Sequence, residues 1–205
     1  MLSVGSQSFG PVKTHVQQSD GAVTSLNDYS LTGTPVVANV SGDANFAMGR
    51  WAAGTVNTST GTQAFTSNSA WHYLAYNVPA AFPTSATLSC EAGNFTSPNY
   101  VGGASSGGNS FGQTGGSATL AFSEGKAIAG ITLLVNAGSS ASKTVTANVT
   151  RGSTAFPGGS IGTGADAVYV TIGDAGSGAF AVQGGYELNL VNGARYAGVF
   201  RFRCH

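Results

Sequence analysis

The residue types able to do chemistry sit far apart in this chain. It ends on Cys204-His205, and its other cysteine is Cys90. A terminal Cys-His pair has the form of half a metal site or the end of a covalent haem motif, but C-x-x-C-H needs a preceding cysteine that this chain lacks. The three histidines, His15, His72 and His205, form no i, i+4 pair and no Cys/His cluster of the kind metal sites use. His72, in the run Trp71-His72-Tyr73-Leu74-Ala75-Tyr76, is the candidate for a haem or metal ion held by one histidine. The competing reading is structural, since a histidine between aromatics on a strand is more often packed and hydrogen-bonded.

The pattern G-x-S-x-G of the hydrolase nucleophile elbow occurs at 103–107 and again at 108–112, and Ser110, Asp174 and His205 follow the chain order Ser, Asp, His. The elbow requires a strand, a sharp turn and then a helix, and nothing helical follows either copy. Two copies inside one Gly/Ser-rich stretch are what composition alone generates. Acidic residues are scattered without a close pair that would suggest glycosidase chemistry. The N-x-S/T sites at Asn39, Asn57, Asn94 and Asn148 are expected by chance in so Ser/Thr-rich a chain. The expectation is a protein that is not an enzyme, with no catalytic residues and no cofactor beyond the haem alternative at His72.

A length of 205 residues suits one domain with a real core. Charged residues are 8% of the chain and the eight basic and eight acidic side chains cancel, which leaves no electrostatic footprint for nucleic acid or an anionic membrane surface. Low charge with polar faces of Ser, Thr and Asn suits a surface or extracellular protein, and two cysteines are compatible with one disulfide in an oxidising compartment. No basic segment with an apolar stretch follows Met1, and no run approaches the ~18 apolar residues of a spanning helix. If exported, the chain is a mature or trimmed form whose signal, lipid anchor or upstream domain lies outside it.

The elements that must position these residues read as strands. Apolar residues recur at a period of two between Gly-, Ser- and Asn-rich turns, with no sustained helical period. Strands are expected at 12–16, 22–25, 36–40, 46–56, 71–78, 86–92, 118–123, 128–136, 143–150, 167–172, 178–190 and 195–204. Ser19-Asp20-Gly21, Glu124-Gly125-Lys126 and Asn192-Gly193 fit hairpin turns, so neighbours in sequence should pair antiparallel. Such a meander hides its edges best by closing, which predicts an all-β, antiparallel up-and-down barrel of about eight strands. The barrel is expected over 46–205, with 1–45 as a small N-terminal hairpin or handle packed on it. An outer-membrane barrel is disfavoured because the expected strands fall short of ~9–11 residues and no aromatic girdles appear, so no membrane span is expected.

In the run Val199-Phe200-Arg201-Phe202-Arg203-Cys204, alternation puts Val199, Arg201 and Arg203 on one face and Phe200, Phe202 and Cys204 on the other. The phenylalanine face is expected to meet the core and Arg201 and Arg203 to meet water. Cys90 likewise shares a face with Leu88, so a Cys90–Cys204 disulfide is expected rather than two reactive thiols. The stretches 94–116 and 152–164 read as long loops, and loops of that length are usually functional or disordered. Phe95, Tyr100, Phe111 and Phe156 within them are the candidate binding anchors.

One long stretch, 41–93, carries Gly49-Arg50-Trp51, then Gly54-Thr55-Val56, His72-Tyr73, and Pro83-Thr84-Ser85 opening the strand with Cys90. In this order the elements resemble the β-barrel domain of proteobacterial FecR-domain proteins and of related lipoproteins with transferrin-binding-protein-B-like barrels. Ser19 to Leu26 resembles the hairpin that precedes that barrel, 115–135 its central hairpin and 193–202 its closing strand. Ala86 stands where the family usually has Gly. The resemblance implies an eight-stranded barrel on the bacterial surface or secreted, acting through loops and an adjoining handle. The leading expectation is a non-enzymatic binding or interaction module for a protein partner. A self-assembling subunit of an extracellular filament, adhesin or matrix is the alternative, and a haem carrier the third reading.

Overall fold

The computed structural model describes residues 2–4, 10–65, 70–104, 112–137, 141–152, 160–161 and 166–205. Seventeen strands and no helix occur among them. The first seven are β1 (Leu2–Val4), β2 (His15–Gln17), β3 (Val23–Leu26), β4 (Tyr29–Gly42), β5 (Phe46–Thr58), β6 (Gly61–Phe65) and β7 (Trp71–Tyr76). There follow β8 (Ser85–Leu88), β9 (Asn94–Phe95), β10 (Asn99–Gly103), β11 (Gln113–Ser123), β12 (Lys126–Ala137) and β13 (Ala141–Gly152). The last four are β14 (Ser160–Ile161), β15 (Ala167–Asp174), β16 (Phe180–Asn189) and β17 (Ala194–Cys204).

These strands build three antiparallel sheets. The N-terminal sheet runs β1-β7-β5-β4-β3-β2 with β6 beside β5; the central sheet runs β10-β17-β16-β15-β14 with β9 beside β17; the outer sheet runs β13-β12-β11-β8. The all-β, antiparallel expectation therefore holds. A single closed ring of eight strands is not what the described residues form, because each sheet is an open path. The N-terminal sheet is also larger than a hairpin: β4 and β5, on either side of residue 45, pair with each other, and the sheet continues to Tyr76.

Local chemistry accounts for the hairpins. Glu124 and Gly125 both have positive φ (52° and 70°), the signature of the two-residue turn whose twist matches its strands. At Asn192-Gly193 the link is three residues long: Leu190 N–H donates to Ala194 O at 2.9 Å, and Gly193 takes the left-handed position at φ 78°. Strands reach further than the alternation suggested, which removes short strand length as a ground for disfavouring a membrane barrel. β4, at 14 residues, is the longest of them, and β11, β12, β13 and β17 span 11 or 12. Glycine-bearing stretches such as Gly115-Gly116 join the ladder when a regular partner, here Leu134 and Leu133, supplies the register.

The main core lies between the outer and central sheets. It gathers Leu120, Phe122, Ile131, Leu133 and Val135 from one side and Val168, Val170, Val182, Tyr186, Leu188, Tyr196, Phe200 and Phe202 from the other. Gly198 sits opposite Tyr186, whose ring lies across it; a Cβ there would come within 2.4 Å of the tyrosine hydroxyl. The opposite face of the outer sheet carries Ser142, Thr144, Thr146, Asn148 and Thr150 along β13, all exposed. β12 adds Ile128 and Leu134 to that face, 45% and 43% exposed.

The Cys90–Cys204 disulfide forms as expected, with the Cα atoms 3.9 Å apart. Its setting is a strand bridge: Ser89 and His205 exchange backbone hydrogen bonds at 2.9 Å in both directions, and Glu91 N–H donates to Arg203 O at 2.7 Å. This joins the outer sheet to β17 along one seam. Across the core, Lys143 Nζ reaches Asp166 Oδ2 at 2.5 Å and Asn189 O at 2.8 Å, tying β13 to the ends of the central strands.

The second face of the central sheet is buried as well. Ala197 and Val199 pack there against Phe46, Met48 and Leu74 of the N-terminal sheet. The expectation that Arg201 faces water is thereby overturned: it is 2% exposed. Alternation assigns a residue to a face, and only a second layer decides whether that face is wet. Arg203 keeps its side chain 35% exposed and pairs with Glu91 at 2.9 Å.

Candidate functional site: a polar seam and a cleft

Two of the expected loop anchors, Phe95 and Tyr100, are taken up by the core. Most of the described residues in 94–116 are strand: Phe95 lies opposite Phe200 and Tyr100 opposite Tyr196, both along β17. The Phe95 ring meets Phe202 edge-on with centroids 5.5 Å apart, and Tyr100 meets Tyr196 at 5.9 Å. Both are half-buried and packed on the main core, and the Tyr100 hydroxyl donates to Gly103 O at 3.0 Å. Phe111, Phe156 and Ser110 lie outside the described residues. Asp174 Oδ1 accepts from Gly176 N–H at 2.8 Å, and His205 Nδ1 stands 3.2 Å from Glu91 Oε1.

The structure instead concentrates unusual chemistry between the N-terminal and central sheets. Seven polar or charged side chains are buried among the described residues: Arg50, His72, Thr96, Asn99, Thr171, Gln183 and Arg201. All belong to this seam. Arg50 and His72 are cross-strand partners on the Met48–Leu74 face of β5 and β7, and Thr171, Gln183 and Arg201 are in register across β15, β16 and β17 on the Val199 face. Thr96, just after β9, and Asn99, the first residue of β10, close over His72.

His72 is fully buried with both ring nitrogens engaged. Val199 N–H donates to Thr96 Oγ1 at 3.0 Å, which leaves the threonine proton for His72 Nδ1 at 2.7 Å. On the other side Nε2–H donates to Asn99 Oδ1, and the Asn99 amide donates to Tyr100 O at 3.2 Å. With Asn99 Oδ1 accepting, the neutral ring is the Nε2–H tautomer and the Thr96 hydroxyl donates to Nδ1. Burial pulls the His72 pKa down to about 3, the bond to Asn99 works against that shift, and the nearby Arg50 charge adds to it. An axial bond to haem or a metal from either nitrogen has to displace Thr96 or Asn99, and the ring presents no exposed edge. Among the described residues no group of three or more His, Cys, Asp or Glu is placed to hold a metal ion.

Arg201 is the other unusual group. Its guanidinium lies over the Phe46 ring, 3.7 Å from the centroid, while Nε and Nη2 are closed off from solvent and meet no hydrogen-bond acceptor. Gln183, its cross-strand neighbour, is likewise buried with Oε1 and Nε2 unmatched. The signal for these residues was present in the sequence as an arginine inside Phe-Arg-Phe-Arg. Alternation sends such a residue to water by default, which is why sequence reasoning misses it.

Above the seam the N-terminal sheet curls over on itself. Trp51 Nε1–H donates to Val23 O at 2.6 Å and Val23 N–H donates to the Tyr73 hydroxyl at 3.1 Å, so β3 is pinned across the β5–β7 face. The mouth of this curl is a cleft of about 450 Å³. Val12, Val23, Leu26, Ala47 and Ala75 supply an apolar floor, and Lys13, His15, Gln17, Asp43, Asn45 and Asn77 a polar rim. The Asp43 turn holds one wall rigid, its Oδ1 accepting from Asn45 N–H at 2.7 Å and Phe46 N–H at 3.2 Å. An apolar floor with a few convergent polar groups is the usual build of a binding site.

No family model, no curated protein and no solved structure matches the chain.

Proposed function

We propose that the protein is a non-enzymatic, surface-exposed or secreted bacterial binding module of the FecR-associated, transferrin-binding-protein-like kind. Its outer and central sheets are the two halves of a barrel-like wall, and its N-terminal sheet is the handle. The Ser89–His205 backbone exchange, the Cys90–Cys204 bridge and the Lys143–Asp166 contact support that view of the wall, since each joins the two sheets at a seam. The disulfide supports an oxidising compartment.

The observation that carries the binding role is the cleft at the mouth of the N-terminal sheet, where an apolar floor meets a rim of Lys13, His15, Asp43 and Asn45. Recognition moves to it from Phe95 and Tyr100, whose rings the core already uses. A photo-crosslinking residue at Asn45, with Thr146 on the exposed face of the outer sheet as control, tests this on intact cells and native extracts. A specific crosslink at Asn45 and none at Thr146 is expected. Crosslinks at Thr146 alone, or equally at both, remove the assignment.

One feature favours assembly as a second reading. β2 ends the path of its sheet and its three residues are all exposed, which leaves a strand edge able to pair with another copy. Sizing across a wide concentration range separates the two readings, because a strictly monomeric species excludes strand-mediated assembly.

A further inference from the structure

Of the described cations, Arg203, Arg195 and Lys143 each hold a carboxylate: Glu91 at 2.9 Å, Glu187 at 2.8 Å and Asp166 at 2.5 Å. Arg201, far more buried than any of them, has no carboxylate within ion-pair distance among the described residues. Two acids, Asp43 and Glu91, favour its charge from beyond ion-pair distance, and the neighbouring Arg203 opposes it. Asp43 Oδ1 accepts two backbone N–H groups of its own turn, and Glu91 Oε1 takes Arg203 and His205.

A guanidinium is not relieved by losing its proton, as a buried lysine or histidine would be. Contact with one aromatic face falls well short of the cost of an isolated buried charge. A lone water satisfies a hydrogen-bonding direction and leaves the guanidinium without a contact ion pair. Gln183, on the strand paired with that of Arg201, adds an amide whose Nε2 donor and Oε1 acceptor are both unmatched. What the pair lacks is a small, planar, doubly accepting anion.

We infer that the seam between the N-terminal and central sheets is a binding site for a small carboxylate, held by Arg201 Nε and Nη2 in a forked pair and by the Gln183 amide. The guanidinium fork matches two carboxylate oxygens, and Phe46 closes the opposite face. Bound there, the anion fastens the N-terminal sheet to the rest of the molecule. The site shares Phe46 with the cleft but does not depend on the cleft's role.

Thermal unfolding of the wild-type protein with acetate replacing chloride at constant ionic strength tests the assignment. Once acetate exceeds its dissociation constant, the unfolding equilibrium constant is expected to fall about tenfold per decade of acetate. Arg201→Met and Gln183→Leu are expected to lose most of that dependence. The same acetate dependence in Arg201→Met as in the wild type, or none in the wild type, overturns the site. A second measurement needs no variant to fold: saturating acetate is expected to move the Arg201 Nε–Hε resonance downfield in the wild-type protein. An unmoved resonance also overturns it.

Discussion

The central sheet is buried on both faces, and the two burials differ in kind. Towards the outer sheet it presents Tyr186, Tyr196, Phe200 and Phe202 to an aliphatic and aromatic partner, and Tyr186 Oη meets Thr114 Oγ1 at 2.5 Å. Towards the N-terminal sheet it presents Thr171, Gln183 and Arg201 to a layer that offers Arg50 and His72. One strand, β17, serves both, alternating phenylalanine with Val199 and Arg201. The first interface has the composition of a fold's core, which contributes stability through burial of apolar area. The second has the composition of a site, because buried polar groups cost stability unless something completes them.

Substitutions on the two faces should therefore behave differently. Removing the disulfide by Cys90→Ala with Cys204→Ala opens a link across 114 positions of chain, and the chain-entropy model gives a loss of about 5 kcal/mol. Denaturant unfolding under oxidising conditions measures it, and a loss under about 1 kcal/mol means the strand bridge holds without the bond. Phe202→Ala, on the apolar face beside Phe95 and Phe200, is expected to cost about 3–5 kcal/mol by the same assay.

The polar face should answer to acid. The folded His72 pKa is lowered to about 3 from the usual 6.5, so below pH 6.5 the unfolded chain takes up a proton that the folded one refuses. Stability from this group is intact above pH 6.5 and is lost as pH falls from there towards 3, at up to about 1.4 kcal/mol per pH unit. Subtracting the pH profile of His72→Asn isolates the contribution, and superimposable profiles would show that His72 is not buried neutral.

Arg201→Met, one residue from Phe202 and on the other face, is expected to be neutral or stabilising in carboxylate-free buffer, because an apolar side chain of similar shape removes an uncompensated charge. A loss comparable to that of Phe202→Ala would erase the distinction between the two interfaces. The smallest change belongs to Glu91→Gln, whose partners Arg203 and His205 are both well exposed; about 0.5 kcal/mol is the upper expectation, seen as a slight shift in denaturant midpoint.

Period-two patterning, turn chemistry and low charge were enough to read an antiparallel all-β protein from the chain, including the hairpin at Glu124-Gly125 and the pairing of Cys90 with Cys204. A turn residue needs only its own φ, and the disulfide, though it spans 114 positions, had one possible pairing because the chain has two cysteines. Phe95 and Tyr100 looked like loop anchors because Gly, Ser and Asn surround them. Their strand partners lie about a hundred residues downstream on β17, and no local pattern announces such a partner.

The layering was not legible for the same reason. Alternation states that Phe200 and Arg201 face opposite ways, a consequence of strand geometry that holds in any fold. Whether the arginine's side meets water or a second sheet depends on where residues 46–76 pack, and that is settled by contacts between segments far apart in sequence. The chain by itself determined the faces; the tertiary structure decided which of them are buried, and so turned an ordinary surface arginine and a histidine between aromatics into the most chemically distinctive groups of the molecule.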